Sequence, residues 1–255
     1  MKSQLSDGVL TVAIDRPTRM NAVTAEVMND LADAILAAAH DDDVRVVVLS
    51  GDDRAFCTGA DLQVASELSG DEAAAATIDA ANRLVGSITA SPKPVVTLAR
   101  GAVAGVGVPI ALAADLVLCD ESTYFLLAFT RIGLMPDGGS SAIVAAALGR
   151  ARAMRMALLA ERLPASEAYE TGLISHLIPS AEYDETVQRI ISTLSRGPQV
   201  AFRRTKEAIN QATLDRLDDA FALERAGQIG LLGAHDFSEG ARAFTEKRRP
   251  AFSDR

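Results

Sequence analysis

Apolar positions along the chain switch between two spacings, and the switches predict strands and helices in alternation. Val9 to Asp15 alternates as a strand does, and Arg16-Pro17 ends it, because proline cannot donate to a ladder and restricts the residue before it. Thr24, with Glu26 in the following turn, predicts an N-cap for a helix whose apolar positions Val27, Leu31, Ile35 and Ala38 recur at helical spacing. That helix ends near His40 in the acidic turn Asp41-Asp42-Asp43. Val44 to Ser50 is a β-branched run suited to a parallel strand covered on both faces. Gly51 to Gly59 reads as a loop, Ala60-Asp61-Leu62 as the start of an irregular helical stretch, and Ala73 to Ala90 as a helix broken by Ser91-Pro92-Lys93-Pro94. Val95 to Ala99 and Asp115 to Cys119 are further strands, separated by Gly105 to Ala114, a helix with no polar face that must be buried. Strands joined through helical crossovers imply an α/β fold with mainly parallel pairing.

Beyond Gly138 the pattern is almost wholly helical: Gly138 to Leu148, Ala151 to Ala160, Ser166 to Thr171 and Ala181 to Ser195, with one short strand at Leu173 to Ile178. Gly197-Pro198 reads as a hinge into helices from Gln199 to Lys247, whose apolar stripe includes Leu214, Leu217, Phe221 and Leu223. The expected organisation is a core over 1–195 and a helical region over 196–255 that packs on another subunit.

Composition narrows the function. A net charge of −9 argues against a general nucleic-acid surface, which needs clustered cations, so an anionic ligand must meet a local basic patch. Trp is absent and aromatics are scarce, which removes stacking as the main recognition device. Cys57 and Cys119 match no ligand spacing and read as packed free thiols, and His40, His176 and His235 stand alone. No segment has the length of apolar residues that spans a bilayer, and the start has no secretory pattern, so a soluble cytoplasmic protein with no metal is expected.

Two glycine-flanked segments carry the candidate chemistry. Ala55 to Leu62 (AFCTGADL) and Arg100 to Ser141 each offer a backbone turning from strand to helix, where N–H groups lack intrahelical partners. Two such donors converging on one oxygen form an oxyanion hole. The second segment ends in Pro136-Asp137-Gly138-Gly139, an ionisable side chain at a helix start. Pro136-Asp137-Gly138 is equally a good type I turn, and Asp137 a good N-cap for a helix beginning at Gly138. A helix N-terminus would lower the Asp137 pKa, whereas apolar neighbours Leu126, Phe129 and Leu134 would raise it. Gly105-Val106-Gly107 is no dinucleotide fingerprint, since Ile110 stands where the third glycine belongs.

Arg16 to Thr24 (RPTRMNAVT), AFCTGADL, the glycine-rich Gly101 to Asp115, RIGLMPDGGSS ending at Ser141, Leu163 to Pro179 (LPASEAYETGLISHLIP) and ARAFTEKRRPAF from Ala241 together resemble the crotonase (enoyl-CoA hydratase/isomerase) family in order and spacing. The resemblance covers essentially the whole chain. It implies a spiral of ββα units with a C-terminal helical region, an acyl-CoA thioester as substrate in fatty acid metabolism, no separate cofactor, and trimers or dimers of trimers. It places the two oxyanion N–H donors on Ala60 and Val106, the latter flanked by Gly105 and Gly107 in the substrate-binding turn. It sets Arg16 near the CoA phosphates, Ala60-Asp61-Leu62 around the adenine, and Phe244 and Lys247 of a neighbouring subunit over the adenine and phosphate end. Lys247-Arg248-Arg249 is the densest basic run, as a local anion patch requires.

The departures from the family pattern favour one branch. The two glutamates that activate water in hydratases correspond to Pro109 and Phe129 here, which transfer no proton, while Asp137 falls where the Δ3,Δ2-enoyl-CoA isomerase and phenylacetate-pathway isomerase branch keeps its single acid. An isomerase with Asp137 as acid and base is the leading expectation. A hydratase (lyase) recruiting other groups and a non-catalytic acyl-CoA-binding protein are the alternatives. A dehalogenase-like role for Asp137 fits less well, because that branch relies on a tryptophan. The acyl-chain end is expected between Leu62 and Ala75, in a loop.

Overall fold

The structure is a computed structural model and describes residues 1–62 and 71–254, with the side chains of 71–74 excluded. Its six-stranded sheet has the order β1-β2-β3-β5-β7-β10, formed by β1 (Lys2–Ser6), β2 (Val9–Ala13), β3 (Val46–Ser50), β5 (Val95–Ala99), β7 (Leu116–Asp120) and β10 (His176–Ile178). Only the β1/β2 pair in this sheet is antiparallel. A four-stranded sheet runs β4-β6-β8-β9, from β4 (Ala55–Cys57), β6 (Ala102–Ala104), β8 (Tyr124–Leu126) and β9 (Leu163–Pro164).

The chain alternates between the sheets. Each of β3–β4, β5–β6 and β7–β8 lays one strand in the large sheet and the next in the small one, and each new pair stacks parallel on the pair before. Helices α2 (Asp71–Ala90), α3 (Gly107–Leu112) and α4 (Ser140–Leu159) return the chain after each turn. This is the expected ββα spiral.

Period-2 side-chain direction gives the large sheet two apolar faces. Val47 and Leu49, with Val95, Ala99, Val117 and Cys119, face a core shared with α1 (Ala25–Ala39) and α2. Val46, Val48, Val96 and Leu118 face the opposite way, against Tyr183, Val187 and Ile190 of α6 (Tyr183–Arg196). A strand covered twice has no polar face, which explains the unbroken VVVL run. Thr24 caps α1 as predicted, its hydroxyl accepting from Val27 N at 3.3 Å.

Several sequence expectations change. The stretch 51–59 contains β4, and β1, β6 and β8 also escape the hydrophobic pattern, because strands of three residues or an exposed edge strand show too few positions to establish a period. The buried helix is Gly107–Leu112, shorter than the apolar run. Gly149 breaks α4 with φ 73° and ψ 162°, matching the predicted division there into two helices. After α5 (Ala165–Glu170) and α6, the tail forms α7 (Gln199–Thr213), α8 (Leu217–Leu232) and α9 (His235–Thr245), which pack back on α2, α4 and the 3-10 turn Phe129–Ile132.

Candidate active site

Successive turns of the spiral deliver one site segment each. The chain leaves β4 for Gly59-Ala60, leaves β6 for Gly105-Val106, and leaves β8 through the turn Phe129–Ile132 for Asp137. Because β4, β6 and β8 are parallel, all three segments emerge from the carboxyl ends of neighbouring strands, where α/β folds build their sites. They line a cavity of about 420 Å³ with Leu62, Phe129 and residues of α8 and α9.

Gly59 (φ +102°) and Gly105 (φ +54°) let the first two segments meet. A Cβ on Gly105 would stand 3.2 Å from the Gly59 Cα, and one on Gly59 would stand 3.2 Å from the Ala104 carbonyl oxygen. Glycine is needed for such an approach and for the left-handed backbone. Ala60 and Val106 follow these glycines, and among the described residues neither N–H has an acceptor within the chain. Their neighbours are engaged: Val23 N donates to Gly59 O at 2.8 Å, Asp61 N to Val23 O at 2.9 Å, and Gly105 N to Leu126 O at 2.9 Å. Asn21 anchors the preceding loop. Fully buried, it donates from Nδ2 to Ala55 O at 2.8 Å and accepts from Arg16 N at 2.9 Å.

Asp137 uses its main chain and side chain differently. Its carbonyl accepts from Ser140 N at 3.2 Å and Oγ at 2.7 Å. Its carboxylate accepts from Gln228 Nε2 at 2.9 Å through Oδ2, while buried Oδ1 has no hydrogen-bond partner. The capping alternative is therefore corrected. The helix starts at Ser140, and Gly139 N and Ser141 N donate instead to Glu224, at 2.6 and 2.7 Å. Burial pushes the Asp137 pKa from 3.8 to about 7; the Gln228 hydrogen bond works against that rise and the charge of Glu224 adds to it. The Gly138 turn rests on the Val106 segment, since a Cβ there would lie 3.1 Å from Pro109 Cγ and 3.2 Å from Val106 Cγ2.

Ala60, Leu62, Gly105, Val106, Phe129, Asp137 and Phe244 all line the cavity; Arg16, Asp61, Gly107 and Lys247 do not. Arg16 instead pairs with the buried Asp61 at 2.9 Å, with Arg19 at 3.7 Å from the same oxygen, and donates to Ala22 O. Its charge is committed to holding the Ala60 segment. Gly107 packs on β4, where a Cβ would fall 2.6 Å from Cys57 O. Phe244 lines the cavity of its own chain, and Arg248 of the basic run pairs with Glu239. The loop expected to meet the acyl end lies mostly in 63–70, outside the described residues. No histidine lines the cavity among the described residues, and burial pushes the Cys57 thiol up to about 12.

Gln228, Glu224 and Asn21 are the residues that sequence reasoning missed. Asn21 sits inside the RPTRMNAVT motif, whereas Glu224 and Gln228 share one face of α8 at i, i+4, a spacing equally common on exposed helix faces, so no local signal marks their burial.

Residues 4–255 match the family described as "Enoyl-CoA hydratase/isomerase". The chain is 38% identical to a "Probable enoyl-CoA hydratase" of Rhodobacter capsulatus, over 100% of its own length and 98% of the relative's. It is 34% identical to the "1,2-epoxyphenylacetyl-CoA isomerase" of Escherichia coli, over 98% and 97%. The crystal structure of an enoyl-CoA hydratase from Mycobacterium avium subsp. paratuberculosis superposes with a TM-score of 0.92 at 49% identity, covering 99% of this chain and 98% of that one. With the spiral and the paired glycine turns, these likenesses make the chain a member of the enoyl-CoA hydratase/isomerase family within the crotonase superfamily.

Proposed function

We propose that this enzyme moves the double bond of an enoyl-CoA from Δ3 to Δ2. The reading is carried by one observation: among the described residues, Asp137 is the only carboxylate lining the cavity. Hydration needs one group to deprotonate water and another to protonate C2, and Pro109 and Phe129 occupy the positions where relatives in that branch carry glutamates. A 1,3-proton shift needs a single acid. Asp137 takes the C2 proton, the C–H electron pair moves into the thioester as a dienolate, and the oxygen charge rests on the N–H groups of Ala60 and Val106. The protonated Asp137 then returns the proton at C4, leaving the double bond conjugated with the carbonyl. Two such donors contribute about 3 kcal/mol each to the transition state. A carboxyl group with a pKa near 7 is matched to both halves of the transfer.

The reaction consumes nothing besides the thioester, so no separate cofactor enters. The CoA portion is read onto the Ala60-Asp61-Leu62 backbone and onto Phe244 and Lys247, with the Arg16–Asp61 pair fixing that backbone. Assembly into trimers or dimers of trimers belongs to the same reading; Val200 and Ile209 on α7 and Leu223 on α8 are exposed apolar side chains suited to it, and light scattering tests it.

The decisive experiment presents a 3-enoyl-CoA and a 2-enoyl-CoA in parallel and follows conjugation by ultraviolet absorbance. Isomerisation that disappears in a folded Asp137→Asn variant supports the reading. Hydration of the 2-enoyl-CoA that survives Asp137→Ala assigns a hydratase instead, and tight CoA binding with no turnover assigns a binding protein.

A further inference from the structure

Asp137 is held from outside its own loop. Glu224 and Gln228 lie one turn apart on α8, and each is 1% exposed. Gln228 Oε1 accepts from Met135 N at 3.1 Å, which fixes which end of the amide faces which partner, and Nε2 then donates to Asp137 Oδ2 at 2.9 Å. Two residues beyond Asp137, Glu224 takes the N–H groups of Gly139 and Ser141. The helix therefore grips the loop before and after the acid. Both Glu224 oxygens are spent on backbone donors, and Glu224 does not line the cavity, so it is no second acid for the reaction.

We propose that Gln228 and Glu224 act as opposed positioning residues for Asp137: Gln228 stabilises the carboxylate and confines the travelling proton to Oδ1, while Glu224 occupies the N-terminus of α4 and keeps the carboxylate from being over-stabilised. Oδ2 always faces an N–H donor, so a protonated Asp137 carries its hydrogen on Oδ1, the oxygen without a partner. A free helix N-terminus two residues away would draw Asp137 toward full ionisation, leaving a poor acid for the return at C4. Glu224 removes that pull by hydrogen bonding and opposes it by charge. Among the described residues, the other ionisable side chains lining the cavity are Arg131, which donates to Ala160 O, and Tyr124, which stacks with Arg162; neither is bonded to Asp137.

The inference rests on the isomerase reading, and its test separates the two. The pH dependence of kcat/KM for a 3-enoyl-CoA reports the acid in the free enzyme. Gln228→Met and Gln228→Leu should move the acid limb up by about one pH unit, costing about tenfold at pH values below it. Glu224→Gln and Glu224→Leu should move it down by a similar amount, about one unit. KM should change little in either pair, and if one variant of a pair fails to fold the other carries the comparison. A structural role alone would lower rates without moving the limb. Carbon-13 carboxyl NMR of aspartate-labelled protein, with the Asp137 signal identified by its absence in Asp137→Asn, reads the same shifts without turnover. Opposite shifts support the proposal, and unmoved limbs or shifts of one sign overturn it. A wild-type protein that does not isomerise overturns the parent reading instead, whatever the NMR shifts show.

Discussion

The Gly59 Cα stands 3.2 Å from the place a Cβ on Gly105 would occupy, so the two proposed oxyanion segments touch through bare backbone. A methyl on either side has only main chain to push against. The N–H groups of Ala60 and Val106, the proposed donors one residue further on, would be driven apart.

Gly59→Ala is therefore expected to cost about 1–3 kcal/mol of stability, from the positive φ, and about 10²-fold in kcat, the scale of losing one oxyanion donor. Denaturant melts and steady-state kinetics measure the two effects separately. Wild-type kcat in a folded Gly59→Ala protein would remove the paired-donor arrangement.

The elevated Asp137 pKa makes stability depend on pH in a fixed direction. The folded state holds the proton up to about pH 7, whereas the unfolded chain releases it near 3.8. Between these values the native state binds more protons, so stability present at low pH is lost as pH rises, and the loss is complete above 7. Asp137→Asn should match the wild type near pH 4 and exceed it at pH 8 by about 2–4 kcal/mol. Thermal melts at the two pH values measure that difference, and an Asn variant less stable at pH 8 than at pH 4, relative to wild type, contradicts the burial argument.

Lys206 supplies a buried tie between the helical tail and the spiral. Its Nζ donates to Ile88 O at 2.9 Å and to Asp115 Oδ2 at 3.0 Å, and the same oxygen accepts from Val95 N at 2.7 Å. Lys206→Met leaves Asp115 without its counter-charge and should destabilise by about 2–3 kcal/mol at pH 7. Burial already raises the Asp115 pKa, so protonation relieves the defect and the loss should shrink at pH 5. Urea unfolding at both pH values tests this.

Gly240 lets α9 lie on the turn that carries Phe129. A Cβ there would fall 2.6 Å from Ile132 Cα and 2.8 Å from its carbonyl oxygen. Gly240→Ala should displace α9 and, with it, Phe237 and Phe244 from the cavity wall. Titration with an acyl-CoA should show binding weakened several-fold, with a smaller change in kcat, since Asp137 and the oxyanion turns lie on other elements.

The three segments that meet at the cavity were legible in the sequence because their determinants are local. A glycine before Ala60, a glycine before Val106 and the Pro136-Asp137-Gly138 turn can each be recognised within a few residues. The strands that carry them were not: AFC, AVA and YFL are too short to show a period, and each pairs with a partner far along the chain. Gln228 and Glu224 were invisible for a related reason. Their partners lie 83–93 positions upstream, and nothing near them announces an acid loop. Arg16 likewise has a partner that nothing nearby in the sequence shows, since Asp61, 45 residues away, accepts from its guanidinium.

Helix α8 follows every strand of both sheets, yet it grips the Asp137 loop. The last strand ends at Ile178, so every strand is in place in the sequence before the helix that supplies Gln228, Ile229 and Leu232 to one wall of the cavity. Both sheets can therefore be complete while the Asp137 carboxylate still lacks the amide that holds it.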